Sequence, residues 1–303
     1  MILRGRFTSL ILAGLLVWPV FSLASAAAAE VKTLTQDQWV GAKQTAALAT
    51  GLNMKYVEMG PANGEVIIFL HGMTDNSRSW SLIAPYFTDK YHIYMLDQRG
   101  HGDTDKPDLR LYPTSLYAAD LAAFMDIKGL KKAHIVGHSL GSMIAQDFAV
   151  NYPEKVDKLV LESSAPVEFA SLGRSIYDAA VGFGSQPPAD DFMSEWYANP
   201  NPVNEDFLKW EMAESRAIPP QIWRAIAKGA SYSNLTPFMD ELKASCLILW
   251  GGQDSFFGAE TQEALKKLIP QARFIAYEKN GHNLQWEIPE KMAGDVRAFL
   301  ENR

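Results

Sequence analysis

The chain has 303 residues, of which 48% are hydrophobic and 21% charged, and a formal net charge of -7. That balance describes a folded globular protein and excludes a disordered, collagenous or disulfide-stapled chain. The acidic surplus excludes a polybasic groove for nucleic acid and a polybasic membrane patch.

At the N-terminus Arg4 and Arg6 precede an apolar run from Leu10 to Leu23, followed by SLASAAAAE. A basic start, an apolar middle and a small-residue end read as a secretory signal peptide over 1–28, cut between Ala26 and Ala29. The run is shorter than the roughly 20 residues that a bilayer-spanning helix needs. The expectation is an exported protein, periplasmic or extracellular, with no stable membrane anchor after cleavage. Residues 30–50 read as a leading arm or short helix, and YVEMGPANGE (56–65) as an early hairpin.

From there short apolar runs alternate with helical stretches. The runs are 65–72, 91–100, 132–139, 157–163, 246–252 and 272–278; the helical stretches are 77–87, 114–128, 140–152, 260–268 and 289–301. Near-continuous apolar runs suit parallel strands covered on both faces. The alternation predicts a doubly wound α/β sheet, which binds ligands at the carboxyl ends of its strands. Residues 168–240 break the rhythm, with short amphipathic helices between Pro, Gly and Asn. They also carry Trp196, Trp210, Trp223, Phe183, Phe192 and Tyr197, so the segment reads as a helical cap with aromatics for an apolar pocket. The core then comprises 29–167 and 241–303. The one cysteine, Cys246, lies in the apolar run CLILW and reads as a packed, inert thiol.

The chemistry centres on GHSLG, Gly137 to Gly141, which follows the strand AHIV and opens a helix. A tight strand-to-helix turn, relieved by flanking glycines, holds Ser139 out at the sheet edge as a nucleophile. Its hydroxyl needs a base. His282 lies in a Gly/Asn-rich loop after the last strand and is assigned as general base, then general acid. The orienting acid is Asp254 in GGQD, with Glu162 at the end of the preceding strand as the competitor. Oxyanion donors are assigned to the backbone N–H groups of Met73, in HGMTDN, and of Leu140. DQRGHGDTDKP, Asp97 to Pro107, reads as a hydrogen-bonded structural loop. No metal-ligand spacing and no phosphate-cradling glycine loop is visible, so no metal and no cofactor is expected.

Together HGMTDNSRSW, DQRGHGDTDKP, GHSLGSMIAQ, GGQD and NGH resemble the α/β-hydrolase fold superfamily from about residue 54 onward. The resemblance implies an eight-stranded, mostly parallel sheet with a helical cap. It also implies the triad Ser139, Asp254, His282 and the donors Met73 and Leu140. Ser142 departs from a glycine common in relatives, and Thr104 from a serine. Serine at the elbow disfavours epoxide and halide chemistry, which use aspartate there. The expected activity is cleavage of a small apolar or aromatic carboxylic ester or lactone. Carbon–carbon bond hydrolysis, perhydrolase-like chemistry and non-catalytic ligand binding are the alternatives. Some relatives place the acid at the position of Glu162.

Overall fold

In the computed structural model, which describes residues 33–168 and 170–302, the apolar runs build one sheet. Its strands are β1 Gln44–Ala47, β2 Asn53–Met59, β3 Glu65–Leu70, β4 Tyr91–Leu96, β5 Ala133–His138, β6 Val156–Glu162, β7 Ser245–Gly251 and β8 Arg273–Tyr277. Among the described residues the sheet has eight strands in the order β1-β2-β4-β3-β5-β6-β7-β8. β1 with β2 and β2 with β4 are antiparallel. Every pairing from β4 across to β8 is parallel.

The two faces explain why the strands read as unbroken apolar runs. On β3, Ile68 and Leu70 pack into one core, Ile67 and Phe69 into the other. β7 divides likewise, Cys246 and Ile248 against Leu247 and Leu249. One face is covered by α2 (Thr114–Ile127), α3 (Leu140–Asn151) and α8 (Ala259–Leu268) through Phe124, Phe148 and Leu265. The other is covered by α1 (Gln38–Ala42) and α10 (Pro289–Leu300) through Trp39, Met292 and Val296. The short α9 (Leu284–Glu287) precedes α10. Between β6 and β7 run α4 (Ala170–Gly182), α5 (Asp190–Trp196), α6 (Glu205–Arg216) and α7 (Pro220–Tyr232). An isolated bridge from Glu168 to Asn234 ties the base of this segment.

Two local readings need correction. The early hairpin is not 56–65: it is β1 with β2, joined through Leu48–Leu52, and β2 then pairs with β4. The stretch 77–87 is not one helix but two 3-10 turns, Ser77–Trp80 and Ala84–Tyr86. Pro85 in the second turn has no N–H to continue an α-helical ladder, and Asn76 caps the first by accepting from the Arg78 amide. The signal segment 1–28 lies outside the described residues. Among those described, no helix is long and apolar enough to cross a membrane.

Candidate active site

β5 ends at His138 and α3 begins at Leu140, so the chain turns on Ser139 alone. Its backbone sits at φ 50°, ψ -118°, a region that a side chain rarely tolerates. The flanking glycines permit it. A Cβ on Gly137 would stand 2.4 Å from the Gly141 carbonyl oxygen, and one on Gly141 only 2.1 Å from that of Leu70. The backbone is pinned as well: the Ser139 N–H donates to the Glu162 carbonyl (3.0 Å), and the Ser142 hydroxyl donates to the Ser139 carbonyl (2.6 Å). Ser142, at a position where the resemblance expects glycine, therefore helps to hold the turn. The Ser139 side chain does not cap α3 and is half-buried.

His282 lies on the loop between β8 and α9. Its carbonyl accepts from the Ser163 hydroxyl (2.6 Å) and from His138 Nε2 (3.1 Å). The preceding Gly281 N–H donates to Glu287 (3.0 Å). Ring nitrogen Nδ1 is 2.9 Å from both carboxylate oxygens of Asp254. Asp254 Oδ1 also accepts from the amides of Phe256 (2.8 Å) and Phe257 (3.0 Å). Burial works against the charged Asp254, but the neighbouring His282 ring, its hydrogen bond and those two amides outweigh it. The carboxyl is held below its ordinary range. With Nδ1 turned to Asp254, Nε2 is the nitrogen left to take a proton.

Glu162 sits elsewhere. It is wholly buried, Oε1 accepts from the Gln285 amide (2.9 Å), and Oε2 has no partner among the described residues. Burial pushes its carboxyl up to about 7, against the opposing pull of His138 and the Gln285 and Leu284 amides. Among the described residues it forms no hydrogen bond to His282.

Met73 and Leu140 line the same cavity as Ser139 and His282. Leu140 opens α3, where the first amides have no acceptor within the helix. Neither the Met73 nor the Leu140 N–H is used in a backbone hydrogen bond among the described residues. Leu172, Ile176, Trp196, Tyr197, Ala230, Phe256, Phe257 and Trp286 supply an apolar wall. The space open to the centre of a water-sized sphere is about 40 Å³, and no lining residue described is a lysine or arginine.

The structure redistributes several residues. Of the six aromatics singled out in 168–240, Trp196 and Tyr197 reach the cavity. Phe183, Phe192 and Trp223 pack on one another as the core of the helical segment, and Trp210 lies beneath the Arg78 guanidinium at 5.0 Å. The His138 ring lies 4.9 Å from that of His282. With Ser163, His138 is a residue that sequence reasoning missed. The loop from Asp97 is structural. Asp97 is held by Lys43 Nζ (2.8 Å) and the Ser77 amide (2.9 Å), Arg99 by Asp120, and Thr104 donates to the Asp97 carbonyl (2.6 Å). Among the described residues no group of three or more His, Cys, Asp or Glu could hold a metal.

A family model for the alpha/beta hydrolase fold matches residues 65–289. Lipase 1 of Psychrobacter immobilis is 28% identical over 262 residues, covering 83% of this chain and 82% of its own length. A 2-hydroxy-6-oxononadienedioate/2-hydroxy-6-oxononatrienedioate hydrolase of Comamonas testosteroni is 26% identical over 258 residues, covering 79% of this chain and 88% of its own. A solved thermophilic esterase from Thermogutta terrifontis superposes with a TM-score of 0.74 at 22% identity, covering 86% of this chain and 98% of its own. At that identity the likeness speaks to fold alone.

Proposed function

The chain belongs to the alpha/beta hydrolase fold family, and on that premise we propose that it is a serine hydrolase cleaving a neutral carboxylic ester or lactone. One observation carries the reading. Ser139, held at φ 50° with its side chain uncommitted to the helix, shares a cavity wall with a histidine whose far nitrogen rests on Asp254. In this reading segment 168–240 caps the site, between core parts 29–167 and 241–303.

The chemistry runs as follows. Ser139 Oγ attacks the carbonyl carbon while His282 Nε2 takes its proton. The developing oxyanion is received by the Met73 and Leu140 amides. Collapse breaks the acyl–oxygen bond, and the imidazolium returns the proton to the leaving alkoxide. Water, deprotonated by His282, then attacks the acyl-enzyme; its collapse releases the acid, and the proton passes from His282 to Ser139 Oγ. Asp254 keeps the ring in the tautomer that leaves Nε2 basic.

The lining favours a neutral acyl group. A dioate such as the one named for the Comamonas testosteroni relative carries two carboxylates, which need cations or many donors when removed from water. The apolar wall described here supplies no such cation, so ester cleavage is preferred over carbon–carbon bond cleavage of that substrate. Export to the periplasm or beyond is part of the proposal, supported by the N-terminal sequence alone.

The test is turnover of p-nitrophenyl butyrate, with a diketone acid as comparator. Ser139→Ala is expected to lower kcat by about 10⁴-fold or more, and a fluorophosphonate probe to label Ser139 in the wild type. Equal rates in the two proteins sink the proposal. Faster cleavage of the diketone replaces its substrate class.

A further inference from the structure

The loop bearing the Met73 amide is held in part by its own bonds, the Arg78 N–H donating to Asn76 Oδ1 (2.8 Å) and the Ser79 N–H to the Asn76 carbonyl (3.0 Å). Thr74, directly after Met73, sits at φ 71°, a left-handed conformation that a branched side chain disfavours. Further restraints come from helices far along the chain. From the end of α5, Trp196 Nε1 donates to the Thr74 hydroxyl (3.1 Å), which donates to the Met73 carbonyl (2.6 Å). The adjoining Tyr197 hydroxyl donates to Asp75 Oδ1 (3.0 Å). From α6, Glu211 Oε1 accepts the Asn76 N–H (3.1 Å). Glu214 accepts from Asn76 Nδ2 (2.8 Å) and from Arg78 Nε (2.8 Å) and Nη2 (2.6 Å). Thr74, Asp75, Asn76 and Arg78 are thus each tied to the helical segment.

Glu211 is the unusual member. It is wholly buried, and its second oxygen, Oε2, has no partner among the described residues. Burial pushes its carboxyl well above the usual range, with Asp75 and Glu214 adding to the shift and Arg78 opposing it. An acid in such a place costs stability that an apolar residue of the same volume would not. What it provides is an acceptor aimed at a single backbone amide, three residues beyond Met73.

We propose that Glu211 is a positioning residue for the oxyanion donor. Through the Asn76 amide, and assisted by Tyr197 and Glu214, it fixes the Met73 N–H where charge develops in the transition state. This inference rests on the serine-hydrolase reading. It goes beyond it by making α5 and α6 part of the catalytic geometry rather than only a cover. A preorganised donor lowers the barrier without strengthening ground-state binding, so its displacement shows in kcat and not in KM.

The experiment compares wild type, Glu211→Met, Glu211→Gln and Tyr197→Phe on p-nitrophenyl butyrate, well below each protein's Tm, with fluorophosphonate titration of active sites. Glu211→Met keeps the volume and removes the acceptor. Its kcat is expected to fall about tenfold or more, with KM within about twofold. Glu211→Gln retains an oxygen for the Asn76 amide and is expected to stay within about twofold of wild type in both constants. A merely structural role lowers Tm but leaves kcat per titrated site intact. Wild-type kcat in Glu211→Met, or equal losses in the Met and Gln variants, overturns the proposal. If Glu211→Met does not fold, Tyr197→Phe decides: a kcat drop of about threefold or more at constant KM supports the clamp, and an unchanged kcat overturns it. Ser139-dependent turnover with an indifferent clamp removes this inference alone. Turnover indifferent to Ser139→Ala removes the underlying reading and this inference with it.

Discussion

Asp254 and Glu162 belong to neighbouring strand ends, yet their surroundings drive them in opposite directions. Asp254 is held ionised by His282 and two amides. Glu162 is held towards its neutral form by burial, with its carboxyl at about 7. Asp254→Asn should therefore lower kcat by about 10⁴-fold, because an amide favours the wrong imidazole tautomer. Glu162→Gln should keep kcat within a few-fold. The reverse pattern would make Glu162 the acid. The two groups also pull stability in opposite senses. Asp254, depressed on folding, contributes stability that is present above its unfolded value and lost as pH falls through its folded one. Glu162, raised on folding, contributes most at low pH. As pH climbs from about 4.5 to about 7 the unfolded chain ionises first, and roughly 3 kcal/mol is lost. Urea melts at pH 5 and pH 8 check this. Glu162→Gln should flatten the decline, and an unchanged slope in the variant would mean that Glu162 is already ionised in the folded protein.

At the scale of the element, the turn from β5 into α3 is where sequence and geometry agree most closely. Its glycines are needed for backbone clearance, so a single methyl group tests the whole arrangement. Gly141→Ala would place a Cβ against the Leu70 carbonyl on β3, a strand atom that cannot step aside. We expect a loss of at least about 3 kcal/mol in chemical denaturation, together with lost turnover. A variant as stable as wild type would show that the turn is looser than the Leu70 contact implies. This turn was legible because every requirement is local: a strand, two glycines and a helix, all between Ala133 and Asn151. The central parallel strands were legible because burial on both faces leaves a continuous apolar run. β2 was misread because its partner is chosen non-locally: Gly60 and Gly64 punctuate like a hairpin, but β4 supplies the ladder. The supports of the site were invisible for the same reason. Ser163 reaches the His282 carbonyl across 119 positions, and Glu211 reaches the Asn76 amide across 135. No spacing rule encodes a contact of that range.

For the molecule as a whole, the decisive relation is between a polar floor and an apolar roof. The floor is the sheet edge, with Ser139, His282 and the Met73 and Leu140 amides. The roof is drawn from the helical segment, Leu172 and Ile176 on α4, Trp196 and Tyr197 at α5, and Ala230 on α7. Between them the space open to the centre of a water-sized sphere is about 40 Å³, which is narrow for a long chain. An acyl chain that fits gains about 0.8 kcal/mol for each methylene it buries. One that does not fit must displace the packed ring of Trp196, which lies 5.4 Å from that of Trp223 and 5.6 Å from that of Phe256. Across a p-nitrophenyl ester series kcat/KM should therefore peak at acetate to butyrate and fall by about tenfold or more at decanoate. Ile176 is the roof residue easiest to shorten without touching the floor. Ile176→Ala should move the optimum to longer chains by one or two methylenes, leaving kcat on acetate near wild type. A wild-type optimum at long chains would instead require the helices to lift as a unit during turnover. Because α5 and α6 also hold the Met73 loop, such lifting would, under the proposed mechanism, remove a donor in the very state that admits substrate, and the roof would then have to close again before the chemistry could begin.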